Sequence, residues 1–542
     1  MRKEKNRLLP PYLLTLALAL GLPQQAAAQQ DLGGALESPD IGTPAASNTS
    51  GGANPAEQGS GRTWTISPRI GLSLTATDHA DVGYSRGESD LITEISPGIR
   101  IEARTARLRG YLDYALNGQF YSSNNGSRHQ NALNTFATLE AVDDWFFVDV
   151  SSNISQQSIS AFGPQSPSDT SINNNRTETA TYRISPYIRG TIGGLADYSL
   201  RYNASATRTD NASVSDLDLS QWVGQIRGGT PFHNLRWTLD ANRQTADYNN
   251  GRRTHADLSR LLLTYLITPQ FSISASAGWE RNDYGTLDPE SRKTHGYGFD
   301  WNPTPRTQIS GFRERRFFGN GHRLSISHRF PMSSIRITDT RDITVLPNQF
   351  ATAGMGSLYD LYYDYFESLI PDPAARSGFV NALLASSGLD PNRQVVSGFL
   401  STRASKQRQQ QLAFMLFGAR NSLTLQLNRS ENTAVAAALT SGFDDFSNAS
   451  TIRQTGASLT LSHRLSPLTS LNATASRQKS TGRYIGTGIG NQDSTYTLYQ
   501  LSLATRLGAK TNGSLSVRRA KYDGDTNSYT ENALIATLFY TY

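Results

Sequence analysis

A chain of 542 residues with 37% hydrophobic and 18% charged residues has less of both than a soluble globular protein, and Gly, Ser, Thr, Asn and Gln fill the difference. The absence of Cys excludes disulfide stapling and a lipid-modified N-terminal Cys. The formal charge of +6 is too small for a nucleic-acid polycation, and Arg2, Lys3, Lys5 and Arg7 against Glu4 place half of it, +3, in the first seven residues.

Residues 1–28 read as a secretory signal peptide. The basic head is followed by the apolar stretch Leu8–Leu22, broken by Pro10 and Pro11, and by a small-residue cleavage site at Ala26-Ala27-Ala28. The apolar run is shorter than the ~20 residues of a membrane-spanning helix. Residues 29–62 are rich in Gly, Ala, Ser, Pro and Asn and hold few large apolar side chains, which predicts a disordered leader.

From Trp64 onward the hydrophobic period is two. Tyr182, Ile184, Pro186, Ile188 and Ile192 alternate with Arg183, Ser185, Arg189 and Thr191. Phe271, Ile273, Ala275, Ala277 and Trp279 alternate with Ser272, Ser274, Ser276, Gly278 and Glu280. Leu423, Leu425 and Leu427, and later Tyr499, Leu501 and Leu503, repeat the pattern. One greasy face and one wet face over such lengths suit a strand tilted across a bilayer, which needs ~9–11 residues in the apolar band. Short connectors (104–107, 143–144, 193–194, 268–269, 508–510) alternate with mostly longer polar ones (78–89, 122–130, 159–175, 434–450, 480–493). Short turns on one side and long loops on the other are the pattern of an outer-membrane barrel. The expected fold is therefore all-β: a large transmembrane antiparallel β-barrel over 63–542, of about 22 strands within a range of roughly 18–24. Trp64, Trp145, Trp222, Trp237, Trp279 and Trp301 suit interfacial girdles.

Residues 346–400 break the alternation. Leu358, Leu361, Tyr362, Tyr365 and Leu369 keep helical spacing up to Pro371, and Phe379, Val380, Leu383 and Leu384 form a second stripe. A short helical insert is expected here on the loop side, as a lid over the mouth or a plug in the lumen, with Leu358, Tyr362, Tyr365 and Phe379 as its packing residues. The chain closes on "ALIATLFYTY". Leu538, Tyr540 and Tyr542 share one parity and form the expected C-terminal signal for the barrel assembly machinery, in a last strand that pairs with the first because a closed barrel has no edge.

With the greasy parity facing lipid, the other parity lines the lumen. It holds Arg100, Arg104, Arg109, Arg183, Arg189, Arg201, Arg236, Arg329, Arg464 and Arg506 against fewer acids, Glu102, Asp113, Asp240 and Glu280. Such a wall attracts anions, and Arg pairs bidentately with carboxylate and phosphate. The alternative is that these Arg pair with neighbouring acids and Tyr hydroxyls and only fill a polar interior. Enzyme signatures are missing: the eight His residues lack metal-ligand spacing, no G-x-S-x-G occurs, and no catalytic residues, metal or cofactor are expected.

The strand "YRISPYIRG" (182–190), the Tyr-rich insert "GSLYDLYYDYFESLIPDPAARSGFV" (356–380) and the final "LIATLFYTY" resemble the outer-membrane β-barrels associated with PEP-CTERM/exosortase exopolysaccharide loci of Gram-negative bacteria. The resemblance spans residues 63–542. It implies a place beside polysaccharide biosynthesis, in export across the outer membrane; with the inward arginines, the expected function is a conduit for export of an acidic exopolysaccharide. Expected partners are outer-membrane lipid and lipopolysaccharide, the barrel assembly machinery and the exopolysaccharide, with no nucleic acid. A porin-like channel for small solutes and a non-conducting surface protein are the competing readings.

Overall fold

The computed structural model describes residues 63–123, 126–211, 214–249, 251–346, 362–363, 366, 376, 380, 398–401, 403–435, 444–447, 449–484, 492–525 and 527–542. The expected signal peptide and leader lie outside these residues. The strands are β1 (Trp64–Thr77), β2 (Asp90–Arg104), β3 (Leu108–Tyr121), β4 (Ser127–Val142), β5 (Phe146–Ser158), β6 (Arg176–Ile192), β7 (Ala196–Thr209), β8 (Leu217–Gly229), β9 (Leu235–Tyr248), β10 (Thr254–Thr268) and β11 (Phe271–Asn282). They continue as β12 (Glu290–Thr304), β13 (Thr307–Arg316), β14 (Gly319–Arg329), β15 (Ser333–Thr344), β16 (Ser405–Phe417), β17 (Asn421–Ala434), β18 (Ala449–Arg464), β19 (Thr469–Tyr484), β20 (Gln492–Arg506), β21 (Thr511–Gly524) and β22 (Ser528–Thr541).

Every strand is antiparallel to the next in the chain, and β22 pairs with β1 from Arg69–Thr541 to Thr77–Ala533. The result is a closed barrel of 22 strands, the number the connector pattern predicts. A strand of 14 residues such as β1, rising ~3.3 Å per residue and tilted by ~40°, gives a wall about 35 Å high.

The proline-bearing strands show why the repeated Ile-Ser-Pro segments are tolerated. Pairing between β2 and β3 passes from Ile95–Gly118 to Gly98–Ala115, skipping Ser96 and Pro97. Between β6 and β7 it passes from Ile184–Ala204 to Tyr187–Arg201, skipping Ser185 and Pro186. A residue without N–H cannot donate, so the ladder opens at that point on one side only. The short turns use left-handed backbone at Asp144 (φ 55°) and at Gly193 and Gly194 (φ 54° and 73°).

Leu72, Leu74, Leu261, Leu263, Leu459, Leu501, Leu503 and Leu534 all lie on one parity and are exposed, whereas Ser, Thr, Asn and Gln of the other parity are buried. The exposed apolar set forms the outward face. Trp64, Trp145, Trp222, Trp279 and Trp301 are exposed as well, and Trp64, Trp145 and Trp301 lie near the short-turn end.

Apolar burial occurs at the loop end of the interior. Leu217, Leu219, Ala246 and Tyr248 on the inner wall pack with Tyr284, Val345, Leu346 and Ala404 from the connectors. The lumen is therefore not uniformly polar: its mouth carries a small hydrophobic core built between wall and loops.

Candidate functional site: the lumen and its closures

The inner wall is cross-linked by charge. Arg316 on β13 reaches Glu280 on β11 (2.6 Å) and Asp342 on β15 (2.5 Å). Arg260 reaches Asp240 (3.0 Å) and Glu314 (3.5 Å), and Arg518 and Glu531 pair at 2.6 Å while nearly fully buried. Removing one partner from such a pair strands a buried charge. Asp240 and Glu280 were expected on the inner face, but their partners and the Arg518–Glu531 pair did not stand out in the sequence. Extending the inward parity to every strand brings Arg260, Arg316, Glu314, Asp342, Arg518 and Glu531 onto the inner face.

The ten inward arginines expected from sequence divide into two sets. Arg100 is buried and binds Glu102 (2.8 Å) and Asp113 (3.2 Å). Arg201 binds Asp149 (2.7 Å) and lies 4.0 Å from the Tyr187 ring centre, and Arg189 sits 4.5 Å over Phe147. Arg183 faces inward on β6 and is also engaged. Arg100 and Arg201 are thus paired with acids along the wall, and Arg189 stacks on an aromatic ring. The others gather at the short-turn end. Arg104, Arg329, Arg464 and Arg506 are the last residues of β2, β14, β18 and β20, while Arg109 and Arg236 are the second residues of β3 and β9. Arg104 lies directly opposite Arg109. Arg506 turns its guanidinium onto the carbonyls of Gly508 (3.2 Å) and Ala509 (3.1 Å) and caps its own turn. The remaining five form a basic rim around the short-turn mouth.

At the opposite mouth, residues 159–175 form a strap that crosses from β5 and β6 to β20–β22. The Tyr522 and Tyr529 hydroxyls donate to the carbonyls of Phe162 and Gln165. Ser494 donates to the Ala161 carbonyl at 3.1 Å. Phe162 packs among Phe399, Phe446, Ala449 and Ile452. Val82 donates to Ile172 (3.0 Å), which donates to Ala80 (2.9 Å), so the first long loop is stitched to the strap. Asn175 braces the strap internally through the carbonyls of Ser160 (3.0 Å) and Pro164 (3.2 Å).

The strap's anchor is Asp445, in the short 3-10 turn Asp445–Ser447. It accepts from the Ser160 hydroxyl and the Ala161 N–H, both at 2.7 Å. Burial pushes its pKa up to about 6; the neighbouring Asp444 charge adds to the rise and the two hydrogen bonds oppose it.

The insert between β15 and β16 leaves and re-enters the wall at the loop end, yet it reaches the other end of the lumen. Tyr362 is buried, its hydroxyl 2.8 Å from Thr424 on β17 and its ring 6.3 Å from that of Phe417, the last residue of β16. Phe366 donates its N–H to the Tyr362 carbonyl at 3.0 Å and also packs on Phe417. Met415, inward beside them, is fully buried. Helical backbone is present at Tyr362, Tyr363, Arg376 and Val380. The expected packing residues Leu358, Tyr365 and Phe379 lie outside the described residues.

No known protein family pattern matches the sequence, and no curated protein matches it. Among solved structures, the barrel is similar to the FrpB iron transporter of Neisseria meningitidis (F5-1 variant), with a TM-score of 0.50 and 9% identity over 88% of this chain and 82% of the other. The apoprotein form of the same transporter gives 0.50 and 8% identity over 89% and 82%. The siderophore receptor PirA of Pseudomonas aeruginosa gives 0.41 and 9% identity over 88% and 80%. At these identities the likeness concerns the barrel fold.

Proposed function

We propose that this protein is an outer-membrane transport barrel whose lumen is gated by its own insert and loop strap, and that it passes an anionic solute. The observation that carries the reading is the sorting of side chains on the closed wall: exposed Leu, Ile, Trp and Tyr outward, and charged, hydrogen-bonded groups inward. Only a helix or a closed barrel satisfies its backbone in hydrocarbon. The fold shared with the FrpB iron transporter adds support for a transport barrel. The basic rim of Arg104, Arg109, Arg236, Arg329 and Arg464 gives the short-turn mouth its selectivity for anions. The resemblance to exopolysaccharide-locus barrels favours an acidic polysaccharide as the anion, moving outward.

The test is conductance in a planar bilayer, comparing the parent with a variant lacking 356–390. The expected result is a nearly silent parent and a conducting, anion-preferring variant. A variant that stays silent would favour a non-conducting surface barrel, and one that passes cations better than anions would remove the anionic substrate. Loss of secreted polysaccharide on deleting the whole gene, with no change in small-sugar uptake, separates polymer export from a porin role.

A further inference from the structure

The outward face is apolar over most of its height, but on β19 and β21 it carries cations. Arg477, Arg519 and Lys521 have outward parity and are exposed. Lys479 nearby pairs with Asp493 at 3.4 Å, whereas these three take part in no ion pair among the described residues. The register brings them together. Arg477 faces Thr497, which faces Lys521, and in the adjoining row Ala475 faces Tyr499, which faces Arg519. With strands ~4.8 Å apart and ~3.3 Å per residue, the backbones of the three cations fall within about 12 Å of one another along the sheet.

Directly beside them the wall is hollow. A groove of about 830 Å³ is lined by Leu459, Ala473, Ala475, Leu501, Val517 and Leu534, with Arg519 and Asn532 at its loop-side end. The hollow exists because Ala473 and Ala475 sit between Leu459 and Leu461 on one side and Tyr499 and Leu501 on the other, so two methyl groups stand where neighbours are large. An apolar trough with Arg519 at its end, and with Arg477 and Lys521 in the next row toward the loops, is complementary to an amphiphile with an anionic head. A phosphate monoester carries up to two negative charges and three acceptor oxygens, and the planar guanidinium forks of Arg477 and Arg519 match it.

We propose that the groove and its cations bind one phosphorylated lipid, acyl chains lying over Ala473 and Ala475 and the headgroup phosphate held by Arg477, Arg519 and Lys521. The site fixes the loop end of β18–β22 at the level of the lipid headgroups. This inference rests on the reading of the barrel as membrane-embedded.

Native mass spectrometry of the full barrel in uncharged detergent tests it, with three probes: a diphosphorylated glucosamine-disaccharide lipid, its dephosphorylated form, and inorganic phosphate. The phosphorylated lipid is expected to bind at least tenfold more tightly than the dephosphorylated one, with millimolar inorganic phosphate a weak competitor. At ~1 kcal/mol per cation, replacing all three by Gln weakens phosphorylated-lipid binding about a hundredfold. Ala475→Trp fills the groove and weakens both lipids, and resistance of the folded barrel to cold SDS shows that each variant is intact. Equal binding of the two lipids, or an unaffected triple variant, overturns the proposal. A protein that is monodisperse without detergent overturns the membrane reading itself, whereas a detergent-dependent barrel that ignores the phosphate overturns only the lipid site.

Discussion

The Tyr362 hydroxyl lies 2.8 Å from the Thr424 hydroxyl, 62 residues further along the chain and near the short-turn end of the wall. The insert starts after Thr344 and ends before Ser405, both at the loop end. The contact at Thr424 therefore places Tyr362 inside the barrel, near its short-turn end, and not over the loop-side mouth. Tyr362→Phe loses one hydrogen bond, worth about 1 kcal/mol, and is expected to leave bilayer conductance near the parent level. Tyr362→Ala removes a buried aromatic ring at about 3–5 kcal/mol and is expected to raise the frequency of open events at least tenfold. Equal conductance in parent and Tyr362→Ala would show that this contact does not control passage through the lumen.

The strap gives a pH dependence of definite sign. The Asp445 carboxyl titrates near 3.8 in an unfolded chain and at about 6 in the closed strap. Between these values the closed form binds more protons than the open one. The contact contributes fully below the lower value and loses its contribution as pH rises through about 6, by at most about 3 kcal/mol. Hydrogen exchange across 159–175, corrected for the intrinsic pH dependence of the chemistry, should show greater protection at pH 4.5 than at pH 7.5. Asp445→Asn should flatten that difference, and a strap equally protected at both pH values in the parent would refute the assignment.

The alternation of Phe271–Trp279 or Leu423–Leu427 is enough to assign parity, because a side chain in a closed wall has only two directions. Strand number, antiparallel order and first-to-last closure all follow from that alternation and the connectors. What the alternation does not contain is height and partner choice. Arg201 and Arg464 have the same parity, yet one is neutralised by Asp149 two strands away and the other stands at the rim. That distinction depends on cross-strand register. The strap was equally hidden: Ser160 and Asn175 read as loop polarity, and only the fold shows that they brace a segment pinned by Tyr522, 360 residues beyond Phe162. The tight link of Phe317 and Phe318 before Gly319 (φ 103°) also departs from the rule of long connectors on the loop side.

Closure depends on the last strand. Leu538 sits opposite Leu72 and Tyr540 opposite Ile70, and the Tyr542 N–H donates to the Pro68 carbonyl at 2.9 Å. Removing Leu538–Tyr542 leaves the N-terminal half of β1 without its partner and exposes an edge. The truncated chain is expected to lose the shifted mobility that a folded barrel shows in unheated SDS gels. A truncated protein that still runs as the folded form would show that these five residues are dispensable for closure.

Arg104 and Arg109 face each other across the β2–β3 ladder, a like-charge pair that costs about 0.2–1 kcal/mol relative to neutral partners. Glu102 offsets part of this, reaching Arg104 at 3.4 Å. Arg109 keeps its charge exposed at the mouth. A basic rim of this kind works by raising the local anion concentration, so its effect must fall with salt, since the Debye length shrinks from ~10 Å at 0.1 M to ~3 Å at 1 M. In the background lacking 356–390, Arg104→Gln with Arg109→Gln is expected to lower the anion-to-cation permeability ratio by about twofold to fivefold at 0.1 M salt. Thermal stability should be equal to or slightly above that of the arginine form. At 1 M salt the two proteins should select alike. A permeability ratio that is insensitive to both the substitution and the salt would place selectivity deeper in the lumen, among the paired charges around Arg316.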